Sequence, residues 1–98
     1  MTDREMLEWA AKSIGDHAEE YDEKRGVWLA NARVWWNPLT DDGDRYRLAM
    51  KCHLFSANRD KLQEWTNAYM FTGDGMSFED AFALSITRAA AEIGRAMK

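Results

Sequence analysis

Apolar and polar positions alternate in two distinct rhythms along this chain. Near the start, Met6, Leu7, Ala10, Ala11 and Ile14 recur at helical spacing, with Trp9 beside the stripe. Thr2 followed by Glu5 has the spacing of a capping box, and Gly15 suits the left-handed position just past a helix end. A first helix is therefore expected over about 3–14. Near the end, Phe82, Ile86, Ala89, Ala90, Ile93 and Met97 form a second stripe behind Ser77 and Asp80, another cap signal. That predicts a helix over about 78–97.

Between them the rhythm changes. Val27-Trp28-Leu29 and Arg33-Val34-Trp35-Trp36 are dominated by β-branched and aromatic residues, the content of strands. A hairpin near 26–36 follows, with Asn31 expected left-handed in its short loop. Pro38 lacks a ladder N–H and ends the second strand. Thr40 is then the expected N-cap of a helix over about 40–52, with Asp41, Asp42 and Asp44 in a first turn where the helix dipole favours negative charge. Its buried face would come from Tyr46, Leu48, Ala49, Cys52 and His53, leaving Arg45, Arg47 and Lys51 solvated. Asp16–Arg25 is polar and acidic and reads as a loop or a frayed extra turn. Residues 53–72 stay open: Leu62, Trp65 and Tyr69 share a helical face, yet 65–71 has strand-like content and His53–Ser56 could start another strand. Thr72-Gly73-Asp74-Gly75 reads as a turn. The order predicts an α+β fold, a small antiparallel sheet with helices on one face, in a single domain spanning 1–98.

At 98 residues the chain makes one domain that buries only about two-thirds of its unfolded surface. No apolar run approaches the roughly 20 residues of a membrane helix, and the charged start, Met1-Thr2-Asp3-Arg4-Glu5, does not read as a signal peptide. The single cysteine, Cys52, cannot form an internal disulfide and fits a reducing compartment. A soluble, cytoplasmic protein is expected. The net charge of −4 belongs to residues 1–25, which hold eight acids against four bases; the remainder sums to zero. That balance argues against duplex binding, which rests on neutralising phosphates.

Chemistry is hard to find. Two histidines 36 positions apart and one cysteine do not have metal-site spacing. Cys52 and His53 are neighbours and diverge on a helix, so they suit neither joint ligation nor a nucleophile–base pair. Asp41, Asp42, Gly43 and Asp44 do not follow a calcium loop, and Gly73-Asp74-Gly75 lacks the rest of a phosphate loop. No enzyme, no metal and no cofactor is expected.

Five tryptophans carry more weight. Trp35 and Trp36 are consecutive on an expected strand, where side chains alternate, so one ring faces the helices and the other the opposite side. The outer ring is either covered within the monomer or a homodimer, or it forms a binding patch. The candidate contact residues are Trp28, Trp35 and Trp36, with Arg33 and the acidic 16–24 segment at the rim. A stacking platform for single-stranded nucleic acid, using Arg33, Arg45 and Arg47, is a separate reading weakened by the acids at 41, 42 and 44.

The segment Trp35-Trp36-Asn37-Pro38-Leu39-Thr40-Asp41-Asp42-Gly43-Asp44, continuing through Lys51, resembles a motif of small uncharacterised accessory proteins of tailed bacteriophages and prophages. Residues 2–12 and 86–97 are also similar to that group, and the three segments cover a little under half of the chain. The group has no assigned catalytic or binding residues, so nothing transfers position by position. What the resemblance implies is context: a phage or prophage accessory protein in a bacterial cytoplasm, acting non-catalytically on a host protein. Alternatives of other classes are a nucleic-acid-binding regulator and a structural homodimer.

Overall fold

The computed structural model describes residues 1–72 and 76–97. Among them the chain forms α1 (Asp3–Ser13), β1 (Ala18–Asp22), β2 (Gly26–Leu29), β3 (Val34–Trp36), α2 (Asp42–Lys51), α3 (Arg59–Thr72) and α4 (Phe78–Ala96). The strands make one antiparallel sheet in the order β1-β2-β3. The fold is α+β, as the two rhythms predict.

Both terminal helices begin as expected. Thr2 Oγ1 accepts from the Glu5 N–H at 3.2 Å while Glu5 Oε1 accepts from the Thr2 N–H at 3.1 Å. Ser77 Oγ accepts from the Asp80 N–H at 3.1 Å. Gly15 follows α1 with φ +78°. The helix α4 occupies the centre, packed on α1, α2 and α3. Its contact with α1 is a backbone approach: a Cβ on Gly94 would run into the carbonyl oxygen of Trp9. Only glycine allows the helices so close.

The acidic 16–25 segment is not a loop. Its residues 18–22 form β1, paired with β2 in the register Glu20↔Trp28, Tyr21↔Val27 and Asp22↔Gly26, with an irregularity between Ala18 and Glu20. Tertiary pairing overrides the poor strand preference of its acids. The Asp22 carboxylate builds the turn that follows, accepting from the N–H groups of Lys24 (2.9 Å) and Arg25 (3.0 Å). Gly26 then closes the turn at φ +87°, where a side chain would strike the Trp36 carbonyl oxygen.

The expected hairpin forms, but its left-handed residue is Arg33 (φ +56°) rather than Asn31. Asp16 holds this loop in place instead. Its carboxylate accepts from the N–H groups of His17 (2.8 Å), Asn31 (2.9 Å) and Ala32 (3.1 Å).

Asp41, not Thr40, caps α2, its Oδ1 accepting from the Asp44 N–H at 2.8 Å. Thr40 loses the role because the Asn37–Asp41 turn, closed by N–H donors of Thr40 and Asp41 on the Asn37 carbonyl, delays the helix by a residue. Tyr46 and His53 are exposed, against expectation, while Arg45 turns inward. The α2 face toward the core is narrow, with Leu48, Ala49 and Cys52 sufficient to fill it. Cys52 ends this helix and His53 turns left-handed (φ +56°). The open segment then becomes α3, with Leu62 buried and Trp65 and Tyr69 half-buried on one face. The strand reading of 53–56 is not realised, because those residues form the connection into α3. The turn expected at 72–75 falls, beyond Thr72, outside the described residues.

Candidate binding surfaces

Strand alternation sorts the aromatic residues of the sheet. Val27, Leu29 and Trp36 face the helices and join the core with Leu7, Leu48 and Ile86. Trp28 and Trp35 point the other way and are half-buried, packing on the sheet rather than on that core. Their register makes them directly opposite across β2 and β3, so the indoles meet edge to face, centroids 5.7 Å apart at 72°.

The turn at Asp22–Gly26 places Arg25 over Trp35. Its guanidinium carbon sits 4.8 Å from the Trp35 ring centroid, and its Nη2 lies 3.8 Å from Asp22 Oδ2. The N–H donors of Arg25 and Lys24 hold the Asp22 carboxyl below its ordinary range, so it is firmly anionic at neutral pH. Glu20 stands opposite Trp28 in the register, with Glu19 and Glu23 exposed beside it. The face is thus two packed indoles and one stacked arginine rimmed by carboxylates.

Of the four residues expected at a contact surface, Trp28 and Trp35 lie on this face. Arg33 is exposed at the hairpin loop, the opposite end from Arg25. Trp36 is a correction: at 5% exposure it is a core residue, as alternation requires when Trp35 points outward. The arginines of the nucleic-acid reading do not gather here either. Arg45 is 17% exposed at its side chain, donating from Nε to the Pro38 carbonyl (2.9 Å) and from Nη2 to that of Leu39 (3.1 Å), with Nη1 2.7 Å from Asp42. Arg47 pairs with Asp44 at 2.8 Å. These bonds knit the Pro38 corner to α2.

A second aromatic surface lies where the sequence reading placed no site. Phe78 stacks on Phe82 (centroids 5.7 Å, 12°), and Phe82 stacks on Phe55 (6.4 Å, 19°). The outer rings of this column are open, Phe78 at 59% and Phe55 at 46% exposure. Together with Leu54, Leu62 and Thr66 they line a groove of about 390 Å³, with Arg59 and Gln63 on its wall. Along α3 the groove-lining positions 59, 62, 63 and 66 are helical neighbours, and Met70 continues the stripe four residues past Thr66. Phe71 extends the adjacent row through Gln63 and Asn67, whose side chains are bonded at 2.9 Å. The Phe78–Phe82 spacing was readable as one helix face. That Phe55 completes the column was not, because its position depends on how 52–58 turns.

Cys52 and the acids at 41–44 have structural partners. Cys52 Sγ lies 3.3 Å from Ser13 Oγ, and burial raises the thiol above its ordinary range despite that contact. Asp44 Oδ2 accepts from the Asn37 N–H at 2.9 Å, so the acids at 41–44 serve caps and ion pairs. Among the described residues, no three His, Cys, Asp or Glu side chains gather as a metal site requires, and no helix is long and apolar enough to cross a membrane. No protein-family model matches the chain, and searches of curated proteins and of solved structures return no match.

Proposed function

We propose that this is a phage- or prophage-encoded accessory protein that works in the bacterial cytoplasm by binding a host protein, as an inhibitor of a defence or metabolic enzyme, without chemistry of its own. The Trp28–Trp35 face is the contact surface. One observation carries this reading: two indoles pack edge to face on the sheet side opposite the helices, with Arg25 stacked on Trp35 and Glu20 and Asp22 at the rim. Tryptophans supply large contact area at low entropic cost. The acidic rim selects a partner whose contact patch is basic, and it steers the encounter electrostatically. The phage context comes from the resemblance of 35–51 and the two terminal segments.

The test is affinity capture from host lysate with wild-type protein and a Trp28→Ala/Trp35→Ala variant whose fold is verified by circular dichroism. A stoichiometric protein captured by the wild type, released by raised salt and lost in the folded variant is the expected result. Capture that survives removal of both indoles contradicts the assignment.

A further inference from the structure

We propose that the phenylalanine groove is a self-association surface, covered by a second copy of this chain across a two-fold axis. It goes beyond the partner reading above and uses a different face of the molecule.

Three observations point to this occupant. The first is area. Phe55 and Phe78, with Phe71 at 88% and Met70 at 43% exposure, leave about 470 Å² of apolar side chain open if each spans roughly 200 Å². That is over half of the ~800 Å² per partner in a standard interface, before any of the groove wall is counted. The second is shape. A projecting ring, Phe78, stands beside a groove lined by Leu54 and Leu62, so knob and hole lie on one patch. A two-fold contact needs that arrangement, because the same patch must serve both partners.

The third is charge. Arg59 sits on the groove wall and Glu79 follows Phe78 on the exposed first turn of α4. Among the described residues, neither is in an ion pair or a side-chain hydrogen bond within the chain, unlike Arg45, Arg47 and Arg88, which all are. Arg59 lines the groove and Glu79 adjoins the lining residue Phe78 along α4, so one patch carries a cation and an anion: in the two-fold dimer Arg59 of each copy faces Glu79 of the other, twice per dimer. A basic or acidic foreign segment would satisfy only one of the two. In the dimer the Phe78 ring enters the groove of the other copy, and the stacked columns close against each other.

Sedimentation equilibrium from low micromolar to near-millimolar concentration tests this, with each variant's fold checked by circular dichroism. The wild type is expected to rise from 11.4 kDa toward twice that mass. Phe78→Asp, at an exposed helix-start position, is expected to raise the dimer Kd by about 30-fold or more, the scale of a central interface anchor. Arg59→Glu weakens the dimer by like-charge opposition, and Arg59→Glu with Glu79→Arg restores it. Trp28→Ala/Trp35→Ala dimerises as the wild type does, which separates this inference from the partner reading. A mass of 11.4 kDa at every concentration overturns the proposal. So does a dimer that is indifferent to Phe78→Asp, or a charge swap that fails to restore association.

Discussion

Trp28 and Trp35 close on each other, whereas Phe55, Phe82 and Phe78 leave their outer rings open. Both clusters are aromatic and both lie at the surface, yet they differ in what completes them. On the sheet, cross-strand register brings two large rings edge to face, and Arg25 from the adjoining turn covers one of them. The larger side chains end up half-buried by their own neighbours. At the α3–α4 end, the rings stack in parallel along a helix start, and the column simply ends at Phe78 and at Phe55. The count of aromatic residues in a sequence therefore says little about exposure. Register and the position of the element's end decide it.

The largest expected effect separates Trp36 from its neighbour. Trp36→Ala empties a core position between sheet and helices and should cost about 3–5 kcal/mol, enough to unfold much of a domain this size. Trp35→Ala, one residue away, should leave a folded protein. Chemical denaturation of the two variants checks this, and equal losses would show that the two faces of the sheet are not as distinct as their burial implies.

Next is Gly26→Ala. It imposes a positive φ on alanine and drives a methyl into the Trp36 carbonyl, at about 2–4 kcal/mol. Because the Asp22–Gly26 turn also positions Arg25, any protein that folds should lose the stacking seen over Trp35, read from the indole emission. The Phe78→Asp variant should by contrast change monomer stability little, since that ring is mostly in solvent.

Removing both outer indoles should cost a smaller ~1–2 kcal/mol, the worth of an edge-to-face pair and its local packing, while abolishing partner capture.

The smallest effect concerns pH. Partial burial raises the Asp16 carboxyl, but the N–H donors of Asn31, His17 and Ala32 together outweigh it and hold it below its ordinary range. A group with a lowered folded pKa stabilises the fold above its unfolded value, about 3.9, and that contribution disappears as pH falls through the folded value. Asp16→Asn should therefore flatten the acid side of the stability curve below about pH 4 and cost about 1 kcal/mol at neutral pH. Thermal melts across that window read it.

Much of the fold was legible because local signals and packing agree there. Thr2 with Glu5 and Ser77 with Asp80 cap helices at the expected places, and Ile86, Ala89 and Ala90 of the expected α4 stripe lie in the core, while Met97 at its end is exposed. The signal failed where tertiary partners decide. Glu19, Glu20 and Asp22 read as a solvated loop, but pairing with β2 makes them a strand. Residues 53–72 contain both periods, and the apolar face offered by α4 selects the helix. Arg45 looked solvated because nothing local reveals that the Pro38 and Leu39 carbonyls turn toward it. Of the candidate surface, alternation along β3 required one of Trp35 and Trp36 to face outward, and the fold decides which. The phenylalanine groove depends on where the 52–58 connection lays Phe55, and no residue pattern carries that.

The most direct measurement takes two folded variants, Trp28→Ala/Trp35→Ala and Phe78→Asp, and reads both solution mass and host-protein capture for each. We expect the effects not to cross: the indole variant keeps its dimer and loses the captured protein, while the Phe78 variant loses the dimer and keeps the captured protein. Loss of both properties in either variant, or capture that depends on Phe78 and not on the indoles, would contradict the division of labour between the two surfaces.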